Sequence, residues 1–211
     1  MIRTLLSAGA LVLALGVAAG EAQATTLSKL SVDQMTDASD LVVRGTVTDI
    51  WTAKDSDGWI WTHAQLEVSA VLKGDTATSE VVVSQLGGVY MNTSALIEGA
   101  SRFSIGEEGI FFLVSDKAGT RLSPAGMWQG KYTVRIDPDS GREMGVRFLL
   151  SQDAWYDHRF LPHPPVGDRL YVDDLEDEIL ERVAEGWDGV PIPGADPVKL
   201  RRINNLQPGV E

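Results

Sequence analysis

The 211-residue sequence contains no cysteine. Disulfides, thiolate nucleophiles and cysteine-bound metals are thereby excluded, so stability has to come from burial. Basic residues are scarce. Eighteen Lys and Arg stand against 30 Asp and Glu, a formal charge of −12 at pH 7. A basic footprint is what displaces counterions from a phosphate backbone, so nucleic acid is not an expected partner. Anionic membrane surfaces are disfavoured for the same reason. The three histidines are His63, His158 and His163, and no two of them stand at metal-ligand spacing on one element. No G-x-S-x-G, H-E-x-x-H or phosphate-cradling loop occurs, and Gly87-Gly88 lacks the Lys-Ser/Thr pair of a P-loop. Ser123, Ser140 and Ser151 have no activating base nearby in the sequence. Neither cofactor, metal nor catalytic residue is expected.

What is present begins with an address. Residues 1–24 carry Arg3, an apolar run from Leu5 to Ala19, and a small-x-small end at Ala22-Gln23-Ala24. This is the pattern of a cleavable signal peptide, too short to span a bilayer. Export to the periplasm or beyond is expected, with Thr25 as the first mature residue and no stable membrane anchor.

Residues 25–150 read as one mainly β domain. Ser31 and Gln34 stand at capping-box spacing before a short helix, about Val32 to Ser39. A strand runs from Leu41 to Trp51, with Gly45 in mid-strand marking a bulge or bend. After the turn Asp55-Ser56-Asp57-Gly58, Trp59 to Lys73 alternates strictly. Ile60, Thr62, Ala64, Leu66, Val68, Ala70 and Leu72 share one face, while Trp59, Trp61, His63, Gln65 and Glu67 share the other. Glu80–Leu86 is a third strand. Gly109–Val114 is apolar on both faces and therefore central. Tyr132–Ile136 and Met144–Phe148 form a hairpin about Pro138-Asp139-Ser140-Gly141. Val89–Gly106 and Lys117–Gln129 read as loops.

Residues 151–211 change character, with 13 acidic residues against 6 Lys or Arg. Asp173 can cap a helix from about 174 to 185, closed by Gly186. Leu175, Ile179 and Val183 form an apolar stripe along it. The tail beyond Trp187 is Pro-rich and reads as weakly ordered.

Three stretches together carry a resemblance. They are Ser39–Val47, Leu66–Gly74 ending in Lys73-Gly74, and Ile105–Leu113. Their order resembles the OB-like barrel of netrin-like and tissue-inhibitor-of-metalloproteinase-like domains. It also resembles uncharacterised bacterial secreted proteins with a later Gln-Gly-Lys motif, here Gln129-Gly130-Lys131. The resemblance implies a five-to-six-stranded OB-like Greek-key barrel with a short N-terminal and a C-terminal helix. The animal inhibitors chelate zinc through an N-terminal cysteine, and this chain has none, so that chemistry does not carry over. Inhibition or a hydrolase-accessory role rests on fold analogy alone.

The candidate binding residues are Trp59, Trp61 and His63. Exposed, the two indoles would anchor an exported protein or stack a glycan. Covered by the C-terminal helix, they would form a second core, and a helix with an apolar stripe needs something to cover. Asp55-x-Asp57-Gly58 and Asp137-x-Asp139 imitate calcium loops but lack the closing bidentate Glu, so both read as hairpin turns. Asn92-Thr93-Ser94 matches a glycosylation acceptor. The acidic run Asp173 to Glu178 reads as a solvated helix start. The leading expectation is a noncatalytic protein-binding module, with a carbohydrate-binding module as the alternative.

Overall fold

The computed structural model describes residues 29–97, 99–147 and 168–193, together with 195 and 199. The leader 1–24, Ser151, His158, His163 and the end of the tail lie outside the described residues.

Helix α1 is Val32–Ala38, and its capping box closes as expected. Ser31 Oγ accepts from the Gln34 amide at 3.1 Å, and Gln34 Oε1 accepts from the Ser31 amide at 3.0 Å. The last turn is capped from a distance: Lys73 Nζ donates to Thr36 O at 2.6 Å and to Asp37 O at 3.4 Å. Burial in this position pushes the Lys73 amine down to about 8. Gly74 follows with φ +78°, and a Cβ there would stand 2.4 Å from Asp40 O. The Lys73-Gly74 pair therefore serves the fold.

Strands β1 (Leu41–Lys54), β2 (Ile60–Lys73) and β3 (Glu80–Leu86) form an antiparallel meander. Then come β4 (Gly88–Tyr90) and β5 (Thr93–Ala95), a hairpin turning at Met91-Asn92. The remaining strands are β6 (Glu108–Ser115), β7 (Leu122–Pro124), β8 (Lys131–Ile136), β9 (Glu143–Arg147) and β10 (Asp168–Tyr171). Helix α2 (Val172–Glu185) closes the series. Eight strands share one sheet, in the order β1-β2-β3-β7-β6-β8-β9-β10. Because β1 also pairs with β6, the strands β1, β2, β3, β7 and β6 close into a ring of five.

Closure falls at Gly45, which faces Val68 on β2 and Gly109 on β6. The β1–β2 register slips between Arg44 and Gly45, the kind of irregularity that bends a strand. A Cβ on Gly45 would stand 2.6 Å from Glu67 O, and one on Gly109 would stand 2.7 Å from Tyr132 O. Only glycine fits either place.

Alternation along the strands sorts two cores. Val43, Val47, Leu66, Val83, Phe111 and Leu113 fill the ring interior. Val42, Ile110 and Phe112 turn outward and pack with Met35 of α1, Tyr132 of β8, and Leu175 and Ile179 of α2. Strand β6 is thus buried on both faces, as its apolar run predicts.

Five expectations need correction. Ala70 and Leu72 do not share the face of Ala64 and Leu66; they pack in the outer core. Register slips that pass over Ser69 and Leu72 shift the alternation, and a period-two count cannot foresee a bulge. The expected loops contain β4, β5 and β7, each three residues long and too short to show a period. α2 starts two residues earlier, with Tyr171 at its N-cap, while Asp173 pairs with Arg142 at 2.7 Å. Finally, α2 does not cover Trp59 and Trp61. Its stripe meets outward residues of β1, β6 and β8, and it touches β2 through the Ala70–Leu72 end, opposite the tryptophans. Arg182 fastens it to α1 through Asp37, Nη2 to Oδ2 2.5 Å. Ile192, in the tail read as weakly ordered, is buried in the same core. No helix among the described residues is long and apolar enough to cross a membrane.

Candidate functional site

The β1–β2 ribbon runs past the ring. Only Leu41–Thr46 of β1 pair with β6, while Asp49–Lys54 pair with β2 alone. Trp51 stands opposite His63 across this ribbon, and Ala53 stands opposite Trp61. Cross-strand partners share a face, so the sequence-predicted pair acquires a third aromatic neighbour. The Trp51 and His63 rings stack with centroids 5.3 Å apart. His63 Nδ1 lies 2.9 Å from Ser84 Oγ on β3. Ser84 is buried, so this contact fixes the imidazole rather than offering an open nucleophile. Partial burial, aided by the Arg121 charge, holds the His63 imidazole below its ordinary pKa.

Trp61 is held differently. Its indole Nε1 donates to Asp55 Oδ2 at 2.8 Å, and the Arg121 guanidinium lies over its ring, 4.6 Å from the centroid. Asp55 Oδ1 accepts from the amides of Asp57 at 3.1 Å and Trp59 at 2.9 Å. Desolvation opposes the charge, but donors from Trp61, Trp59 and Asp57, with Arg121 beside them, hold the Asp55 carboxyl below its usual range. The carboxylate is therefore committed to the turn, as the hairpin reading expects. Asp137 behaves alike, accepting from Ser140 Oγ at 2.5 Å. No group of three His, Cys, Asp or Glu side chains able to hold a metal occurs among the described residues.

Trp59 stands apart, on the turn before β2, with 59% of its surface exposed. The row is thus not one flat platform. Trp61 and His63 are braced and half-buried, Trp51 is 37% exposed, and Trp59 projects. On the other side of the ribbon lies the β4–β5 hairpin, bonded by Thr52 Oγ1 to Val89 O and by Thr62 Oγ1 to Gly87 O, both 2.7 Å. Val89, Met91 and Leu96 of that segment are all exposed. The end of the molecule therefore carries apolar side chains on both sides of one ribbon.

Trp51, Arg121 and Ser84 join this site without having been singled out in the sequence. Trp51 could have been found by pairing the two strands about the Asp55–Gly58 turn. Ser84 could have been found in the same way, by pairing β2 with β3, where it stands opposite His63. Arg121 could not, because ring closure through β7 brings it in. The Gln129-Gly130-Lys131 motif lies elsewhere and is structural: Gln129 Oε1 accepts from the Leu30 amide at 2.8 Å, and Lys131 Nζ pairs with Glu107 at 2.7 Å. No family model matches the chain, and no curated protein matches it either.

Proposed function

We propose that this chain is an exported, noncatalytic module that recognises another exported protein through the tip of its β1–β2 ribbon. The observation that carries this reading is the exposure of Trp59 beside a braced Trp51–His63 stack and the apolar β4–β5 hairpin. Aromatic anchors bury large area at low entropic cost, which makes an exposed indole a candidate anchor for a partner. Export rests on the signal-peptide pattern of residues 1–24.

The ring is further read as an OB-like Greek-key barrel. Supporting this are its five strands and the insertion of β7, the last of them in sequence, between β3 and β6, parallel to β3. In OB barrels the loops joining strands one to two and four to five bind ligands. The corresponding loops here hold Trp59 and, at the start of β7, lead to Arg121. OB barrels bind oligosaccharides at that place, which supports glycan recognition as the second reading; the acidic charge speaks against oligonucleotides.

The test is affinity capture from an exported-protein fraction, comparing wild type with Trp59→Ser, followed by a glycan array with both. An exported protein held by wild type and lost with Trp59→Ser supports the first reading. Glycan binding that vanishes in Trp59→Ser, with no protein captured, transfers the assignment to carbohydrate. Equal behaviour of the two chains in both assays removes the site.

A further inference from the structure

The ribbon tip carries an open sheet edge as well as exposed side chains. Beyond Thr46, β1 pairs with β2 alone, and no described strand pairs with its other edge. The hairpin turn shows which backbone groups face that edge. Asp55 N–H donates to Trp59 O at 3.0 Å, and the register then runs unbroken back to Asp49 opposite Gln65. In an antiparallel pair, residues that bond the neighbouring strand alternate with residues that point away from it. Trp51 and Ala53 therefore bond β2, whereas Ile50, Thr52 and Lys54 turn their backbone groups outward. The far side of the ribbon agrees. Ile60, opposite Lys54, turns its carbonyl away from β1 and accepts from Gly87 N–H at 2.8 Å.

This edge is closed at one end only. Asp49 Oδ1 accepts from the Ile50 amide at 2.8 Å, next to the register slip between Val47 and Asp49, which blunts the strand up to that point. From Thr52 to Lys54 the outward amides and carbonyls have no partner among the described residues. Apolar groups flank the open stretch. Trp51 stands on one face. On the other, β4 crosses from Thr62 to Thr52, through the bonds to Gly87 O and Val89 O, and leads into the turn at Met91. Met91 is 82% exposed with φ +51°, the left-handed region that favours glycine. Packing requires neither the strain nor the exposure.

We propose that the open edge of β1, from Ile50 to Lys54, receives an extended segment of the partner polypeptide, which joins the sheet as a further strand. The Thr52 and Lys54 amides donate to its carbonyls, and the Ile50, Thr52 and Lys54 carbonyls accept from its amides. Donors and acceptors repeating every two residues, about 7 Å apart, match another extended backbone and not a sugar ring. Cross-strand partners share a face, so a side chain opposite Thr52 lies on the face of Val89, and those before and after it lie on the face of Trp51 and Ala53. A second copy of this chain fits poorly. Each copy carries −12, and a twofold antiparallel pairing about Thr52 sets Asp49 opposite the second copy's Asp55. The inference rests on the reading of the ribbon tip as a protein-recognition site and names how that site takes hold.

The probe is a displayed library of short linear peptides, selected on the full chain. The best binder is synthesised and N-methylated at one amide at a time. Within the bound stretch, methylation should weaken binding at least about tenfold at every second residue and spare those between, because only alternate amides face β1. Lys54→Pro removes an outward N–H without touching a bond to β2, and it should also weaken binding at least about tenfold. In amide hydrogen exchange, Thr52 and Lys54 of the free chain should exchange faster than Trp51 and Ala53, and should become protected when the peptide binds. The inference is overturned if no peptide is enriched, if the methylation scan has no period of two, or if Thr52 and Lys54 exchange unchanged in the complex. A dimer abolished by Lys54→Pro, with no peptide enriched, overturns it in favour of a second copy. A peptide lost with Trp59→Ser but indifferent to methylation and to Lys54→Pro overturns it and leaves the ribbon-tip reading standing. A period of two with undiminished binding to Trp59→Ser supports the edge and refutes Trp59 as the anchor.

Discussion

Replacing Ile179 by alanine separates a helix that belongs to the core from one that merely rests on it. Ile179 lies on α2 and is fully buried among Leu175, Tyr132, Ile110 and Met35. The substitution removes three carbons, worth about 2.4 kcal/mol at roughly 0.8 kcal/mol each. The cavity left behind adds to this, since buried aliphatic-to-alanine changes cost about 2–5 kcal/mol in all. A loss of about 3–4 kcal/mol is therefore expected. In urea, with a slope of about 1–3 kcal/mol per molar, the midpoint should fall by roughly 1–4 M with the slope unchanged. The control is the next residue, Leu180, which is exposed on the same helix; Leu180→Ala should move stability by about 0.5 kcal/mol or less. Accessibility of Trp59 to a soluble quencher should be the same in all three folded proteins, because α2 sits at the other end of β2. A loss below about 1 kcal/mol for Ile179→Ala, or a reduced slope with α2 melting before the sheet, would refute the argument.

Two further outcomes follow from the same physics. Because His63 is held below its ordinary value of 6.5, the unfolded chain takes up this proton before the folded one does. Stability should fall as pH drops below that value until the folded imidazole titrates, and His63→Phe, which keeps the ring against Trp51, should lose less between pH 7 and pH 5 in thermal melts. An identical pH profile for both proteins would show that His63 is not desolvated. Gly130→Ala would put a Cβ 2.4 Å from Ala125 N, 2.6 Å from Ala125 O and 2.8 Å from Phe112 O, all backbone atoms that cannot swing aside. The expected cost is about 3 kcal/mol or more by urea unfolding, and a cost under about 1 kcal/mol would mean that Gln129-Gly130-Lys131 is not a packing motif.

What was legible in the sequence was whatever is written locally. The capping box at Ser31 and Gln34, the third strand, and the double-faced apolar run of β6 all rest on contacts within a few residues or on alternation. β7 was illegible because three residues carry no period, yet it completes the ring. The slips past Ser69 and Leu72 were illegible because a bulge is set by the partner strand. At the candidate site, the spacing of Trp59, Trp61 and His63 correctly put Trp61 and His63 on one face. It could not tell that Asp55 and Arg121 would clamp one indole, that Trp51 would stack on the imidazole, or that Trp59 would be left outside. Tyr132 and Arg147 read as ordinary strand residues, and only the fold shows which of their hydrogen-bonding atoms are left over.

That remainder is the better guide to function in a chain with so few chemical signatures. Lys73, Gly74, Gln129, Gly130 and Lys131 look functional in the sequence, and the fold accounts for every one of them through a cap, a close approach, a buried amide bond or an ion pair. Trp59 and the Tyr132 hydroxyl are the reverse. An indole held in water and a phenol held out of it each oppose the burial on which a cysteine-free domain depends. Neither is accounted for by packing, and folded sequences break local rules chiefly where something else requires it. The two violations also differ in kind. An exposed apolar group asks for a partner that removes water, as a protein surface does. An unpaired buried hydroxyl with no accessible surface is instead a cost carried inside the packing. On that ground the ribbon tip, and not the Tyr132 hydroxyl, is assigned to a partner.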